Sequence, residues 1–274
     1  MKQKLAIAGV AGRMGRALLE SAYGDPRFEI CGGTERAGSK DLGTDLGVIC
    51  GQAPLGLTAS TEVAQAAVHG DVWLDFTNPD AFMAALPALG GSSIRGIVLG
   101  TTGFDGAGER AIAQAATRFC VVRSGNFSLG VNVLVGLVKQ AAARLGTDWD
   151  IEILEAHHRH KLDAPSGTAL MLGHAATAGR GVRHSEVATG HATSLGTLKP
   201  PIAPRQTGDI GYASRRGGGI IGEHEVMFAS EAETIRLGHT ALNRAIFAKG
   251  ALVAAAWAAH QPPGLYSMAD VLGL

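Results

Sequence analysis

The sequence K-L-A-I-A-G-V-A-G-R-M-G-R-A-L-L-E, residues 4–20, sets the fold class of this chain. Residues 4–8 predict a buried strand, residues 9–15 a glycine-rich turn and residues 16–20 the start of a helix. In such a turn, glycines let the backbone approach a pyrophosphate closely, and the helix amino terminus faces the negative charge. The spacing is G-x-x-G-x-x-G rather than G-x-G-x-x-G, and glycine-rich turns also occur in unrelated α/β units. The stretch therefore predicts a βαβ unit and makes dinucleotide binding a hypothesis.

Two charged residues follow the next predicted strand, at residues 28–32. Glu35 lies 20 residues after Gly15, where an acidic side chain meets the adenosine ribose hydroxyls in dinucleotide-binding units. Arg36 stands beside it and suits a 2′-phosphate instead. A solvated Glu-Arg pair in a loop is the alternative that these residues leave open.

The following segments continue the alternation of strands and helices. Residues 41–60 are predicted as loop, residues 71–76, 96–99 and 120–122 as strands, and residues 77–89 and 109–118 as helices. This alternation is typical of a parallel sheet, in which ligands bind at the carboxyl ends of the strands. The candidates for the wall of a nicotinamide pocket are therefore Gly100, Thr101, Thr102, Ser124, Gly125, Asn126 and Phe127. Each of these two runs is equally consistent with a simple turn.

Ionisable side chains crowd residues 155–168, which read E-A-H-H-R-H-K-L-D-A-P-S-G-T. Residues 150–154 predict a strand, so the run lies at a strand's carboxyl end. In an extended chain His157 and Lys161 would be roughly 13 Å apart, too far for both to act on one small molecule. Turn residues at 163–167 allow the bend that would bring them together.

A helix start follows, because P-S-G-T-A-L-M-L at residues 165–172 changes from turn residues to helix formers. Ser166 suits the N-cap position, which leaves the amides of Gly167 and Thr168 as donors at the helix end. Such an end favours a carboxylate or a phosphate. It therefore predicts a seat for an anionic group beside a cation and a histidine.

Two other interpretations of this run stay open. His158 and His160 would share a strand face, as metal ligands can, but no cysteine is nearby and the run is strongly basic. A solvated polar loop would require none of these side chains. The combination of His157, Lys161 and the anion seat favours a catalytic site without a metal, in which the histidine exchanges a proton near neutral pH.

The composition limits the class of partner. The 24 basic and 24 acidic residues give a formal net charge of zero, whereas a nucleic-acid-binding protein usually carries a basic surplus. The most apolar late stretch, residues 251–259, is far shorter than a membrane span. Cys31, Cys50 and Cys120 are odd in number, widely spaced and form no metal motif. They favour a reducing cytoplasm, with neither nucleic acid nor membrane as a partner.

The second half of the chain predicts a different architecture. Helices are predicted at residues 129–145, 169–178 and 241–260, short strands at residues 209–213, 219–222, 225–229 and 233–238, and a long surface segment at residues 179–205. Successive short strands with few helices predict an α+β unit with a mixed or antiparallel sheet. His224 and His239 lie in these strand regions, where a structural role is favoured over a catalytic one.

These motifs, in this order, resemble the 4-hydroxy-tetrahydrodipicolinate reductase (dihydrodipicolinate reductase) family over nearly the whole chain. The motifs that carry the resemblance are A-G-V-A-G-R-M-G-R (8–16), Glu35-Arg36, D-F-T-N-P (75–79), G-T-T-G-F (100–104), N-F-S-L-G-V-N (126–132), E-A-H-H-R-H-K-L-D-A-P-S-G-T-A (155–169) and G-E-H-E-V-M-F (222–228). Residues 179–204 show little of the family's pattern, and no predicted site residue lies in them.

The resemblance implies an α/β protein with two domains. A Rossmann-type parallel-sheet domain would comprise residues 1–127 and 241–274, so that the last helix returns to it. Residues 128–240 would form an α+β substrate-binding domain with a mixed open sheet. That sheet would also build a homotetramer.

The resemblance further implies a role for each candidate site residue. His157 would be the proton donor and acceptor, Lys161 a second proton donor, and His158, Gly167 and Thr168 would hold the substrate's carboxylates. The implied cofactor-binding residues are Gly9, Val10, Ala11, Gly12, Arg13, Met14, Glu35, Arg36, Gly100, Thr101, Thr102, Ser124, Gly125, Asn126 and Phe127.

The implied reaction is the reduction of 4-hydroxy-tetrahydrodipicolinate, a cyclic dicarboxylate, to tetrahydrodipicolinate with loss of water. It would use NADPH or NADH and belong to diaminopimelate and lysine biosynthesis. Two alternatives remain. One is a sister dehydrogenase of another small oxo- or imino-acid. The other is a non-catalytic NADPH-sensing protein, which would not need both His157 and Lys161.

Overall fold

The computed structural model describes residues 1–190 and 205–274, which divide into two compact units. The first unit comprises Met1–Leu129 and Ala245–Gly273, and the second comprises Gly130–Arg244 with Leu274. Of the surface segment predicted at residues 179–205, residues 191–204 lie outside the described part.

The chain forms helices and strands with the following bounds. In chain order they are β1 (Gln3–Ala8), α1 (Arg13–Ala22), β2 (Phe28–Thr34), α2 (Leu46–Ile49), α3 (Val63–Ala67), β3 (Val72–Asp75), α4 (Pro79–Leu89), β4 (Gly96–Leu99), α5 (Gly106–Ala115), β5 (Cys120–Arg123), α6 (Leu129–Arg144), β6 (Asp150–His157), α7 (Gly167–Arg180), α8 (His184–Val187), β7 (Ala188–Gly190), β8 (Ile210–Arg216), β9 (Glu223–Ala229), β10 (Thr234–Thr240), α9 (Ala245–Ala258), β11 (Gly264–Tyr266) and α10 (Met268–Leu272).

The first unit contains a six-stranded sheet in the order β11-β5-β4-β3-β1-β2, and every neighbouring pair is parallel. The chain leaves β1 toward β2 on one side and later places β3 on the other side of β1. This reversal of strand order leaves a crevice at the carboxyl ends of β1 and β3, the position where open α/β sheets bind ligands.

The core of the first unit forms because its central strands are apolar on both faces. Leu5 of β1 and Leu74 of β3 are fully buried on one face of the sheet, and Ala6 and Trp73 are fully buried on the other. Parallel strands covered by helices on both faces show such continuous burial. The late helix α9 packs against α1 with a surface of small residues, and a Cβ at Gly250 would lie 1.7 Å from the Phe127 carbonyl oxygen.

The second unit contains a five-stranded mixed sheet in the order β10-β9-β6-β8-β7. The central strand β6 runs parallel to β8 and antiparallel to β9. Ile153 of β6 pairs with Tyr212 and Val226, and all three are buried in a core that also contains residues of α6 and α7. The parallel sheet and this mixed sheet confirm the fold class predicted from the sequence.

Several predicted elements differ from the structure. The strand predicted at residues 219–222 is absent, because β8 and β9 both pair with β6 and residues 217–222 must cross the end of β6 to join them. There Gly217 N–H donates to the His157 carbonyl at 2.9 Å. The last long helix begins at Ala245 rather than 241, because Ala241 N–H still bonds the Gly222 carbonyl.

Some short elements were not predicted at all. The loop predicted at residues 41–60 contains α2, whose N-cap Asp45 accepts hydrogen bonds from the amides of Gly47 and Val48. Strand β11 has only three residues and adds to the sheet edge beside β5. The predicted surface segment begins with the end of α7, then α8 and β7.

Within residues 1–190 and 205–274, no helix combines the length and apolar character needed to cross a membrane.

Candidate active site

A buried carboxylate lies at the carboxyl end of β6. The Glu155 side chain has no exposed surface, and its Oε2 lies 2.6 Å from Nδ1 of His157. Both terminal nitrogens of the Arg216 guanidinium donate to the same carboxylate, at 2.8 and 2.7 Å. The Ser166 amide adds a fourth hydrogen bond at 3.2 Å. The strand register explains this convergence, since His157 pairs directly with Arg216 across β6 and β8.

The partners of Glu155 decide its ionisation. Burial by itself raises the pKa of this carboxyl, because a charge is poorly solvated inside a protein. Hydrogen bonds from His157, Arg216 and Ser214 outweigh burial and hold the pKa well below its ordinary value. Glu155 is therefore a fixed negative charge beside His157 at neutral pH.

Arg216 also holds the loop that follows β6. Its Nη2 donates to the Asp163 carbonyl oxygen at 2.7 Å while it binds Glu155. In the same loop, Lys161 Nζ contacts both carboxylate oxygens of Asp163 at 2.7 Å. These contacts, with the hydrogen bond from Lys161 N–H to the His158 carbonyl at 3.1 Å, show that the chain turns after His157 and does not continue as an extended strand.

The beginning of α7 lies against the same carboxylate. Ser166 is the N-cap, as predicted, and its Oγ accepts a hydrogen bond from Ala169 N–H at 3.2 Å. Gly167 and Thr168 are the first two residues of the helix, and a Cβ at Gly167 would meet nothing within 4 Å. The helix end is thus sterically open at Gly167, as an anion seat must be.

His224 completes the wall behind His157. The two rings meet edge to face with centroids 5.2 Å apart, and His224 Nε2 lies 3.0 Å from Ser166 Oγ. Burial lowers the pKa of His224 to about 4, and the charge of His157 contributes in the same direction. His224 is therefore neutral at pH 7 and packs beside His157 without competing for protons.

His158 lies in the same loop, in surroundings that disfavour its protonated form. Burial lowers its pKa, and the nearby positive charges, of which Arg244 has the largest effect, lower it further. Its buried Nδ1 has no hydrogen-bond partner among residues 1–190 and 205–274. A neutral imidazole with an unused nitrogen suits hydrogen bonding to a ligand.

The structure brings together more residues than the sequence indicated. Glu155 was noted only as one polar residue of the run, Arg216 was not singled out, and His224 was considered structural. Each of the last two approaches β6 from another strand, more than 50 positions along the chain. The polar residues at the end of β8 and the G-E-H-E motif were the available signals, but only the strand register shows that they face His157.

No group of three or more potential ligand side chains is arranged to hold a metal within residues 1–190 and 205–274. The His158 and His160 rings, which raised the metal alternative, lie 6.2 Å apart at their centroids.

A separate cleft lies in the first unit at the reversal of strand order, with a volume of about 690 Å³. Gly9, Gly12, Arg13 and Met14 of the glycine-rich turn line it. Gly9 has φ +63°, and a Cβ at Gly15 would lie 2.1 Å from the Gly9 carbonyl oxygen, so both positions require glycine. No side chain caps α1, whose N-cap is Gly12. The turn and the uncapped helix end fit the pyrophosphate of a dinucleotide.

Glu35 and Arg36 line the far side of this cleft, after β2. Glu35 Oε2 accepts a hydrogen bond from Ala11 N–H at 3.0 Å and so fixes the position of the carboxylate against the glycine-rich turn. Arg36 is exposed. A ribose at this end of the cleft would meet the carboxylate, with the guanidinium available for a phosphate.

The other predicted cofactor residues lie elsewhere in the first unit. Thr101 is buried and donates to Asp75, and Phe127 is buried edge to face with Phe76 at 5.1 Å. The side chain of Val10 is also in the core. Only their backbones remain to meet a ligand. None of the residues at 100–102 and 124–127 lines the cleft, and they lie instead at the carboxyl ends of β4 and β5.

Comparison with known proteins identifies relatives along the whole chain. The family model described as "Dihydrodipicolinate reductase, N-terminus" matches residues 3–127, and the one described as "Dihydrodipicolinate reductase, C-terminus" matches residues 130–272. A protein of Parvibaculum lavamentivorans named 4-hydroxy-tetrahydrodipicolinate reductase is 48% identical over 99% of this chain and 98% of its own length. One of the same name from Dinoroseobacter shibae is 45% identical over 98% of each chain.

The fold is likewise similar to a solved structure. The dipicolinate-bound dihydrodipicolinate reductase of Paenisporosarcina sp. TG-14 superposes with a TM-score of 0.77, covering 98% of this chain and 99% of that one. The sequences are 24% identical, so this likeness concerns the fold.

Because Arg216 is the main cationic partner of a buried carboxylate, Arg216→Gln should lower the free energy of unfolding by about 2–4 kcal/mol at pH 7. A group with a lowered folded-state pKa contributes stability above its unfolded pKa, about 4.3 for glutamate, and loses it as pH falls through the folded pKa. The difference in the free energy of unfolding between the native protein and Arg216→Gln should therefore be constant from pH 8 to 6 and become smaller below about pH 4. Urea denaturation at several pH values measures it.

The matched control is Arg183→Gln, which removes an arginine from an exposed pair with Glu186 of α8. Exposed pairs contribute about 0–1 kcal/mol, so this variant should remain near the native stability. Equal losses for the two variants would contradict the structural importance assigned to the Arg216–Glu155 pair.

Proposed function

The chain belongs to the dihydrodipicolinate reductase family, and from this premise we propose that it reduces 4-hydroxy-tetrahydrodipicolinate to tetrahydrodipicolinate with loss of water. It is an NAD(P)H-dependent oxidoreductase of diaminopimelate and lysine biosynthesis. The observation that carries the proposal is the family match across both units. The family match favours this activity over that of a sister dehydrogenase or a nucleotide-sensing protein. The complete run from His157 to Lys161 supports the same choice, because a sensing protein would not need both residues.

The proposed substrate-binding residues suit a dicarboxylate. Gly167 and Thr168 form the amino terminus of α7, whose partial positive charge attracts a carboxylate. His158, whose lowered pKa favours the neutral form, has a buried Nδ1 that lacks a hydrogen-bond partner in the described part of the chain. Lys161 is paired only with the exposed Asp163 in the described residues, a partner that a substrate carboxylate can replace.

The proposed catalytic residues are His157 and Lys161. NADH or NADPH, when bound, supplies the hydride that reduces the ring after the hydroxyl has left. The enamine formed on the substrate then requires a proton, which His157 donates as a general acid and later regains from solvent. Lys161 serves as the second proton donor, close to the departing hydroxyl or a carboxylate.

The proposed dinucleotide site uses the residues from Gly9 to Met14, Glu35 and Arg36 for the adenosine and pyrophosphate portions. The cleft geometry and the two positions that admit only glycine support this assignment. The residues at 100–102 and 124–127 are proposed for the nicotinamide portion, since they end the neighbouring strands β4 and β5. Thr101 and Phe127 would contribute through their backbones, because their side chains are buried.

We also propose a homotetramer and a cytoplasmic location. One face of the mixed sheet packs against the helices of its unit, and by alternation Leu154 and Met227 point to the other face, where they are half-buried. Proteins usually cover such a face or its edge. The free thiols of Cys31, Cys50 and Cys120 suit a reducing compartment.

His157→Gln should reduce kcat by about 10²–10⁴-fold with little change in KM, because a general acid acts in the transition state. Lys161→Ala should lower kcat and also raise KM, because its ammonium contacts a carboxylate in the ground state. Absorbance at 340 nm with freshly generated substrate measures both. NADPH titration by fluorescence should show unchanged affinity, since the proposed dinucleotide residues belong to the other unit.

His160→Gln is the matched control, because His160 is an exposed histidine of the same run. It should retain nearly full turnover. Near-normal activity in His157→Gln or Lys161→Ala would remove that residue from the mechanism, and absence of turnover in the native protein would refute the proposed reaction.

Arg36→Ala should weaken NADPH binding by about tenfold or more and leave NADH binding unchanged, because only NADPH carries the 2′-phosphate. Arg13→Ala, at the start of α1 on the same cleft, should weaken both cofactors alike, because both carry a pyrophosphate. Isothermal titration calorimetry compares the four affinities. Equal losses of NADH and NADPH in Arg36→Ala would show that Arg36 does not bind the phosphate.

Light scattering at micromolar concentration should give four times the chain mass of 28.1 kDa. Met227→Glu, which places a charge on the sheet face opposite the helices, should dissociate the assembly, while Ala113→Glu at an exposed position of α5 should not. A monomer mass for the native protein would refute the tetramer.

A further inference from the structure

A single carboxylate joins the proton-transferring histidine to the proposed anion seat. Glu155 Oε2 is bonded to His157 Nδ1, and its Oε1 is bonded to the amide of Ser166, the residue before Gly167. The position of His157 relative to the helix end is thus set by one rigid group. Glu155 itself cannot adjust, because Arg216 binds both of its oxygens.

The geometry also separates the two nitrogens of the His157 ring. At 2.6 Å from an ionised carboxylate, Nδ1 must be the donor, since two acceptors would repel each other. Nε2 is on the other edge of the ring, where a Cβ at Gly222 would lie only 3.2 Å away. Glycine at this position keeps the space beside Nε2 free of a side chain.

A purely structural ion pair would not require this arrangement. Arg216 alone satisfies both oxygens of Glu155, so the short bond to His157 is additional to what the buried charge needs. His224 of β9 packs edge to face on this ring, and neither it nor Lys161 of the loop has a hydrogen bond to His157 in the described residues.

We propose that Glu155, held in place by Arg216, is the positioning residue for His157, keeping its proton on Nδ1 and presenting Nε2 as the nitrogen that exchanges protons with the substrate. This inference rests on the proposed function. In the transfer step, the imidazolium loses its Nε2 proton to the reduced substrate and becomes the neutral Nδ1–H tautomer, still bonded to Glu155. A proton from solvent then returns to Nε2, and Glu155 stays ionised throughout.

The test separates positioning from stability with three variants. Glu155→Gln keeps the size of the side chain but removes its charge, and should reduce kcat about 10–100-fold, a typical loss for residues that orient a catalytic group, with KM changed less than threefold. The double variant Glu155→Met, Arg216→Met replaces the ion pair with apolar side chains of similar size. Such replacements often keep or raise stability, so it should fold while kcat stays low. Recovery of both stability and kcat in the double variant would show that the pair is only structural.

Glu186→Gln is the matched control. Glu186 lies on α8 of the same unit, outside the proposed site and the sheet, and pairs with Arg183 at the surface. Its loss should leave kcat and KM within twofold of the native values. A loss equal to that of Glu155→Gln would overturn the proposal.

A second readout needs no turnover. Long-range ¹H–¹⁵N spectra of protein labelled at histidine distinguish the two neutral tautomers, and the spectrum of His157→Gln assigns the His157 signals. Native His157 should be protonated at Nδ1, and Glu155→Gln should populate the Nε2–H tautomer. A native ring protonated at Nε2 alone would overturn the proposal even if the protein is fully active. Failure of the proposed reaction would instead appear as absent turnover with the tautomer unchanged.

Discussion

A charged side chain that is buried away from water needs hydrogen-bond partners of opposite charge. The buried Glu155 carboxylate meets this need only because several elements of the fold converge on it. Its partners come from the same strand, from β8 and from the start of α7. A slip of β6 by one residue would turn Glu155 and His157 to the opposite face of the sheet and leave Arg216 without its partner. The geometry of the site therefore depends on the register of β6, and the pairing of the buried charge in turn favours that register.

In the first unit, the shape of the cleft is fixed by steric exclusion rather than by charge pairing. Its cleft depends on the absence of side chains, because any Cβ at Gly15 would collide with the Gly9 carbonyl. A charged contact there, from Ala11 N–H to the Glu35 carboxylate, joins the glycine-rich turn to the end of β2. Steric exclusion thus shapes the site where a large, flexible dinucleotide is proposed, whereas charge pairing fixes the site where a proton must be transferred.

Features that depend on a few consecutive residues could be predicted from the sequence, whereas features that depend on residues far apart in the chain could not. The β1–turn–α1 unit and the Ser166 N-cap are encoded within a few residues, and both were predicted. The strand expected at residues 219–222 has suitable composition, but these residues cross the end of β6, and β8 and β9 already occupy both edges of that strand. Arg216 and His224 could not be assigned to the site, since their approach to His157 depends on pairing between strands distant in sequence. The family resemblance supplied residue roles but did not indicate what holds His157.

The relative strengths of the ion pairs indicate which parts of the proposed site are fixed and which can respond to a substrate. Glu155 and Arg216 form a largely buried, doubly hydrogen-bonded pair, and separating them would leave a charge without solvent. Lys161 instead pairs with Asp163, whose side chain is 61% exposed, and such surface pairs contribute about 0–1 kcal/mol. A substrate carboxylate can therefore exchange with Asp163 at little cost, while His157 keeps its position. On the proposed function, the rigid pair holds the group that must meet the substrate at a defined distance. The weak pair holds the Lys161 ammonium in the loop until a carboxylate arrives.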